Sequence, residues 1–386
     1  RQDGVVAGAE VDAYVDQGED LPLLANEPTP GSIVGQREIP ELGVTVWELS
    51  NGAHVFLKPT DFKNDEILFS SYSPGGHSLV EDKDYIAAAT ASTVVTQGGL
   101  GNFDQVGMMK WMSGRVVRVS PFVSELHEGL SGAASPQDAE TMFQMIHGYF
   151  TATRTDSIAF ASLRKRLRAM IENRGSRPET AYGDTVQVTM AQHHFRARPW
   201  SEEMLDELDL ETSMKVFRDR FADASDFTFF FVGNLTPEGI GPLVERYLAS
   251  LPALRRGETW RDVDKKPPTG VVTRIMRRGI EPKASTQIIF TGPFDFDNRE
   301  DRLQIGLMAE TFQIKLREIL REDLGGTYGV GVRARPSRYP TGSYRLSVSF
   351  GCDPERVDEL TAVVFEQIDS LRAIGLDATY TDKVRE

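Results

Sequence analysis

Arg321 and Tyr328 are the two residues whose types and spacing most directly suggest chemistry. They lie seven positions apart in the stretch LREDLGGTYGV, on either side of a Gly-Gly pair. A guanidinium and a phenol both donate hydrogen bonds, so together they can hold a carbonyl oxygen or a developing negative charge. The same pattern fits a simpler interpretation, in which Tyr328 alternates with Val330 and Val332 into a core and Arg321 faces a helix dipole. The spacing alone leaves both interpretations open.

Metal binding has little support in the sequence, because the histidines lack the spacing that a zinc site on a helix requires. Such a site usually takes two histidines one turn apart with an acid nearby. His77 and Glu81 straddle a predicted loop, and His127 precedes Glu128 in extended chain, where neighbouring side chains point in opposite directions. The other histidines, His54, His147, His193 and His194, form no better pair. We therefore predict that this chain contributes no metal ligands.

Nucleophilic and phosphate-binding chemistry are also poorly supported. Cys352 is the only cysteine, so the chain has no internal disulfide, and no histidine stands near it in sequence. A lone cysteine of this kind is usually a small apolar core residue. The glycine-rich residues 98–103 leave a predicted helix instead of opening one after a strand, which disfavours a phosphate-binding loop.

Composition narrows the classes of partner. The 386 residues include 43 basic and 57 acidic side chains, and the formal net charge is −14. Nucleic acid and anionic membrane surfaces both require a basic footprint, so neither is expected as the main partner. No apolar run reaches the 18 residues that suggest a membrane span.

The elements that must position Arg321 and Tyr328 form two similar halves. In the first half, Asn51-Gly52 predicts a hairpin, and an alanine-rich helix is predicted from about residue 84 to 96. Residues 252–270, rich in Pro, Gly, Arg and Lys, form the best linker. Beyond it we predict strands at 271–278, 285–294, 329–336 and 343–351, and helices at 298–321 and 353–371.

This order of elements predicts an α+β fold of two tandem, duplicated units, each a mixed, mainly antiparallel sheet packed by helices on one face. The predicted ranges are an entry connector at 1–36, a first domain at 37–255 and a second domain at 256–386. The second half is shorter than the first, so we expect the natural chain to continue beyond Glu386.

The two halves, the alanine-rich helix and LREDLGGTYGV together resemble the M16 (insulinase or pitrilysin-type) zinc peptidases. In that family only the N-terminal half carries the inverted zinc motif H-x-x-E-H. The resemblance places the first histidine of the motif at Ala88, the glutamate at Ala91 and the second histidine at Ser92. None of these side chains binds Zn²⁺ or takes a proton from its water. The chain thus resembles the inactive, C-terminal half of a bacterial insulinase-like enzyme.

The resemblance also implies a role for Arg321 and Tyr328. The inactive half of the family presents an arginine and a tyrosine, in the form R-x-x-x-x-x-x-Y, to the zinc centre of the other half. This implies a clamp on the substrate and its oxyanion, with a peptide or unfolded-protein substrate. It also implies zinc in the full-length enzyme, held by an N-terminal half of the same polypeptide and not by this chain.

A second class of function remains open beside the peptidase. Zinc-free structural relatives, such as the core subunits of respiratory complexes, serve as scaffolds and need no such pair of residues. The sequence preceding Arg1 would discriminate between the two, because H-x-x-E-H there indicates a peptidase. For the compartment, resemblance to envelope enzymes favours the periplasm, with the cytoplasm as the alternative.

Overall fold

The computed structural model describes residues 21–375, and these residues divide into two compact units. The first unit comprises residues 21–175 and 194–264, and the second comprises residues 176–193 and 265–375. A helical segment from the middle of the chain therefore belongs to the second unit, which its position in the sequence does not indicate.

The domain ranges drawn from the sequence stay a prediction. Their boundary after residue 255 lies nine positions before the division at residue 264. Residues 1–20 of the predicted connector and residues 376–386 of the predicted second domain lie outside the described residues.

The first unit is built on a seven-stranded mixed sheet. Its strands are β1 (Ile33–Ile39), β2 (Val44–Leu49), β3 (His54–Pro59), β4 (Ile67–Pro74), β5 (Val117–Val123), β6 (His127–Ala134) and β7 (Thr228–Gly233). They are ordered β1-β2-β3-β7-β4-β6-β5, and only the β3–β7 pair is parallel. Aromatic residues fill the core beside β7, where Phe143 stacks on Phe231 with ring centroids 5.0 Å apart.

From residue 21 onward, nine α-helices precede the second sheet. They are α1 (Tyr85–Ala89), α2 (Ala91–Gly98), α3 (Gln105–Trp111), α4 (Ala139–Thr151), α5 (Ser157–Arg174), α6 (Pro178–Met190), α7 (Glu202–Asp206), α8 (Leu210–Arg220) and α9 (Pro237–Leu243). All belong to the first unit except α6, which belongs to the second. Across residues 21–375, none of the helices combines the length and apolar character needed to cross a membrane.

The predicted alanine-rich helix is interrupted once. Thr90 separates α1 from α2, and its hydroxyl donates a hydrogen bond to the carbonyl oxygen of Ile86 at 2.7 Å. Ala87, Ala88 and Ala91 are buried to within 1%. These small side chains therefore let the helices pack closely.

The second unit has a three-stranded antiparallel sheet. Its elements are β8 (Ala284–Pro293), α10 (Arg299–Arg317), β9 (Val330–Ser337), β10 (Ser343–Cys352) and α11 (Val357–Ile374). The strand order β8-β10-β9 repeats the order β4-β6-β5 of the first unit. Phe312 of α10 and Leu360 of α11 pack on Val348 at the centre of the sheet. The expected α+β architecture, with mainly antiparallel sheets and packing helices, is confirmed.

The strand predicted at residues 271–278 is wrong, because these residues adopt no regular structure. Val271 and Ile275 are 98% and 80% exposed. In the first unit the strand that precedes β4 pairs with β7. The described part of the second unit has no counterpart of β7, and a lone strand cannot form its hydrogen bonds.

Candidate functional site

The candidate site is the loop of residues 324–329, which carries Tyr328 and follows the helical turn that carries Arg321. The preceding helix α10 is capped at its start by Asn298, whose side-chain oxygen accepts hydrogen bonds from two backbone amides. The helix continues as a wider π-helical turn over Glu318–Asp323, and Arg321 lies in this last turn.

Local hydrogen bonds end this helical turn sharply. The amide of Leu324 donates to the carbonyl oxygen of Ile319 at 3.1 Å, and the amide of Gly326 donates to that of Leu320 at 2.9 Å. Gly325 has a φ of +56°, in the left-handed region that glycine adopts without strain. The Gly-Gly pair is therefore required for the chain to leave the helix here.

Thr327 ties the loop to the sheet. Its side chain is buried, and its hydroxyl donates a hydrogen bond to the carbonyl oxygen of Gly351, at the end of β10, at 2.5 Å. The hydroxyl oxygen of Thr327 also accepts a hydrogen bond from the amide of Gly329 at 3.1 Å. The residues on both sides of Tyr328 are thus held by one side chain.

A second set of contacts holds the loop against the start of α11. Arg356 donates a hydrogen bond to the carbonyl oxygen of Leu324 at 3.2 Å and pairs with the carboxylate of Glu359 at 2.6 Å. Gly326 packs so closely that a Cβ atom there would lie 2.7 Å from the side chain of Leu360. The backbone of the loop is fixed at both ends.

From this fixed backbone Tyr328 projects away from the protein, with 96% of the residue exposed. Tyr328 is therefore not a core residue, because β9 begins only at Val330 and the alternation starts there. Arg321 is also exposed, and its place in the last helical turn remains compatible with an interaction with the helix dipole. Within residues 21–375, neither side chain makes a hydrogen bond or an ion pair with another residue.

Tyr328 on the fixed loop and Arg321 on the preceding helical turn are two hydrogen-bond donors with no partner among the described residues, so they can bind an external acceptor. A phenol O–H and a guanidinium suit a carbonyl oxygen or an anionic oxygen. Because the loop is anchored, little backbone order has to be gained when such an acceptor binds. The arrangement can thus bind and orient a ligand, but it includes no nucleophile or base.

The positions that the M16 resemblance assigns to zinc ligands do not fit the metal. Ala88 and Ala91 are fully buried, and Ser92 lies beside them in α2. In the described part of the chain, no group of three or more His, Cys, Asp or Glu side chains is placed to hold a metal ion. The residues present here have no atom that could replace the missing imidazole nitrogens.

The pair His77 and Glu81 is separated by the structure. Glu81 is exposed, and its carboxylate pairs with the ammonium of Lys83 at 2.8 Å. The ring of His77 is buried edge-on against Tyr85, with centroids 5.3 Å apart. The two side chains thus have different neighbours.

The sequence does not reveal that Glu128 is buried. It is 1% exposed and accepts a hydrogen bond from the amide of Gly76 at 2.5 Å. Burial raises the pKa of the Glu128 carboxyl to about 7, although the Gly76 amide and the nearby guanidinium of Arg220 lower it. Arg220 also pairs with Glu258 at 3.0 Å, so the network joins β6 to the segment after α9. The only sequence signal is an acid in a strand of small and apolar residues.

The two units have the α+β architecture that the M16 resemblance implies, and the positions that it assigns to the zinc motif hold Ala88, Ala91 and Ser92. Residues 211–386 match the family model described as "Peptidase M16 inactive domain". These residues are thus similar to the inactive domain of the M16 peptidases, and the resemblance carried by the sequence motifs is confirmed.

Named relatives show the same relationship. A "Zinc protease PQQL-like" from Arabidopsis thaliana is 28% identical over 375 residues, which cover 92% of this chain and 36% of the relative. The crystal structure of the periplasmic protease PqqL from Escherichia coli superposes with a TM-score of 0.82 at 22% identity, covering 97% of this chain and 41% of that one. The ferredoxin protease FusC, solved with Arabidopsis ferredoxin, gives 0.79 at 18% identity, with 96% and 40% covered. This chain thus spans well under half the length of these relatives.

Proposed function

We propose that this chain is the substrate-binding, non-zinc-binding half of an M16 metallopeptidase. In this proposal Arg321 and Tyr328 bind carbonyl oxygens of a peptide beside a zinc ion held by the N-terminal half of the same polypeptide. The observation that supports it most is the exposure of Tyr328, at 96%, on a loop fixed at both ends.

The chemistry of peptide hydrolysis gives these two residues their tasks. Negative charge develops on the scissile carbonyl oxygen, and a positioned donor stabilises that charge more than it stabilises the bound substrate. One such donor changes the rate by roughly 10² to 10³-fold. The phenol of Tyr328 suits this oxygen, and the guanidinium of Arg321 suits an adjoining carbonyl. Neither residue cleaves a bond by itself.

Tyr328→Phe in the full-length polypeptide tests this role, because it removes one hydroxyl and leaves the ring in place. We expect kcat/KM on a peptide substrate to fall by about 10²-fold while the zinc content stays the same. Tyr339→Phe is the matched control, since it removes a hydroxyl from another exposed tyrosine of the second unit. Equal kcat/KM for the wild type and Tyr328→Phe would remove the basis of the proposal.

Arg321 requires its own control, because a helix-end cation also stabilises its helix. Arg317 is exposed and lies one turn earlier on the same helix. We expect Arg321→Met to lower kcat/KM and Arg317→Met to leave it unchanged, with similar small effects of both on the free energy of unfolding. If both variants lower kcat/KM alike, Arg321 supports only the helix.

The proposed substrate class and compartment follow from the relatives. The E. coli relative is described as a periplasmic protease, which supports a periplasmic location here. The FusC structure is of a complex with Arabidopsis ferredoxin, which supports polypeptides as the substrate class.

A further inference from the structure

The sheet of the second unit has one face opposite to the face on which α10 and α11 pack. On the covered face, Val332, Val348 and Phe350 are buried against α10 and α11. Successive side chains of a strand point to opposite faces, so Arg333 and Arg335 of β9 lie on the other face. Both arginines are exposed.

The register of the sheet adds a third arginine to this face. Arg345 of β10 is the direct partner of Arg335, and Arg333 faces Ser347. Like charges directly opposite on neighbouring strands destabilise a sheet. Burial and the neighbouring Arg335 lower the pKa of Arg345, as expected for a half-buried cation beside a like charge.

Among the described residues, the strands β8, β9 and β10 contribute no carboxylate to this surface, which we call the arginine face. Its central neighbours on β8 and β10 are uncharged: Gln287, Ile289, Thr291, Ser347 and Ser349. Within residues 21–375, none of the three arginines forms an ion pair, whereas the adjacent Arg338 pairs with Asp297 at 3.2 Å. In a protein with a net charge of −14, three uncompensated arginines side by side call for an external anion.

We propose that the arginine face binds an extended polypeptide segment that carries carboxylates at alternating positions. Arg333 and Arg335 are two residues apart on one strand, a spacing of about 7 Å. Side chains two apart on an extended peptide have the same spacing, so each carboxylate meets one guanidinium fork. Arg345 lies about 5 Å across the strand pair and contacts the same carboxylate as Arg335.

Charge and geometry favour a peptide over a nucleic acid as the occupant. The overall charge of −14 repels a long polyphosphate, which gains its affinity from many phosphate contacts. The arginine face has only three cations, and their neighbours are serine, threonine and glutamine. It can therefore bind a few separate carboxylates of a peptide but not the many phosphates of a nucleic acid. The binding of such a segment does not depend on the proposed function. The further step, that a peptidase prefers acidic segments as substrates, rests on the proposed function.

The test uses the full-length polypeptide, freed of metal with a chelator so that peptides stay intact. Three labelled nine-residue peptides are compared by fluorescence anisotropy: one with two glutamates at alternating positions, one with glutamines there, and one with adjacent glutamates. We expect the alternating peptide to bind about tenfold more tightly than the glutamine peptide, with the adjacent peptide in between. Arg335→Gln and Arg345→Gln should abolish the preference, whereas Arg338→Gln, with the same change of charge, should keep it.

Three results would overturn the proposal. They are equal affinity for the glutamate and glutamine peptides, an equal loss for Arg338→Gln and Arg335→Gln, and removal of the preference by inorganic phosphate at the concentration of the peptide. Tyr328→Phe separates the two hypotheses, because it should lower turnover in the metal-loaded enzyme without changing the peptide preference. If the wild type shows no preference for the glutamate peptide while Tyr328→Phe still lowers turnover, this inference fails and the proposed function stands.

Discussion

Glu128→Gln perturbs the most unusual carboxyl group in the first unit. The side chain is 1% exposed, and its one direct backbone partner is the amide of Gly76 at 2.5 Å. Glutamine has nearly the same shape and can still accept this hydrogen bond through its side-chain oxygen. The substitution therefore removes the titration and keeps most of the packing.

The magnitude follows from the pKa of Glu128, which burial raises from an ordinary 4.5 to about 7 in the folded protein. Between these values the folded protein keeps a proton that the unfolded chain has lost, so the free energy of unfolding falls as pH rises. Each pH unit in this window costs about 1.4 kcal/mol, so the total loss above pH 7 is about 3 kcal/mol. Below pH 4.5 the Glu128 carboxyl is protonated in both the folded and the unfolded state, so none of this free energy of unfolding is lost.

Urea unfolding at a series of pH values from about 4.5 to 8 measures this dependence. We expect the urea midpoint of Glu128→Gln minus that of the wild type to increase as the pH rises. This difference should level off above pH 7. Glu48→Gln, on an exposed position of β2, is the control and should follow the wild type. A constant difference between Glu128→Gln and the wild type across this range would refute the reasoning from burial.

Three further predictions concern stability and the loop. Burial lowers the pKa of His147 to about 4, so the free energy of unfolding should fall as pH drops from 6.5 to 4; His147→Gln should remove this fall in the same urea series. Gly76→Ala should cost more than 2 kcal/mol, because its φ is +61° and the Cβ atom would lie 2.3 Å from a carbonyl oxygen. Gly43→Ala, with a φ of +60° and no atom within 4 Å, should cost only about 1 kcal/mol when both are unfolded in urea. Thr327→Val should cost about 1 to 2 kcal/mol and lower kcat/KM of the proposed full-length peptidase, because it frees the loop from Gly351.

Local patterns in the sequence predicted most of the elements. Asn51-Gly52 forms the expected hairpin between β2 and β3, with a φ of +93° at Gly52, because this turn is set by adjacent residues. Residues 271–278 look like a strand for equally local reasons. Their structure depends on a neighbouring strand, however, and the described part of the second unit supplies none.

The sequence identifies which residues form the candidate site, but it does not predict how they are exposed or held. The spacing of Arg321 and Tyr328 and the glycine break are visible in the sequence. The exposure of Tyr328 depends on Thr327 reaching the end of β10, 24 residues later. The burial of Glu128 likewise depends on Gly76 and Arg220, which lie 52 residues before it and far after it in the chain. Contacts of this range leave no periodic signal.

The most direct measurement of the central claim is a crystal structure of the full-length polypeptide with a peptide bound and the glutamate of its proposed H-x-x-E-H motif replaced by alanine. We expect the Tyr328 hydroxyl and the Arg321 guanidinium to lie about 3 Å from carbonyl oxygens at or beside the scissile bond. A bound peptide with both side chains directed into solvent, away from its carbonyl oxygens, would contradict the claim.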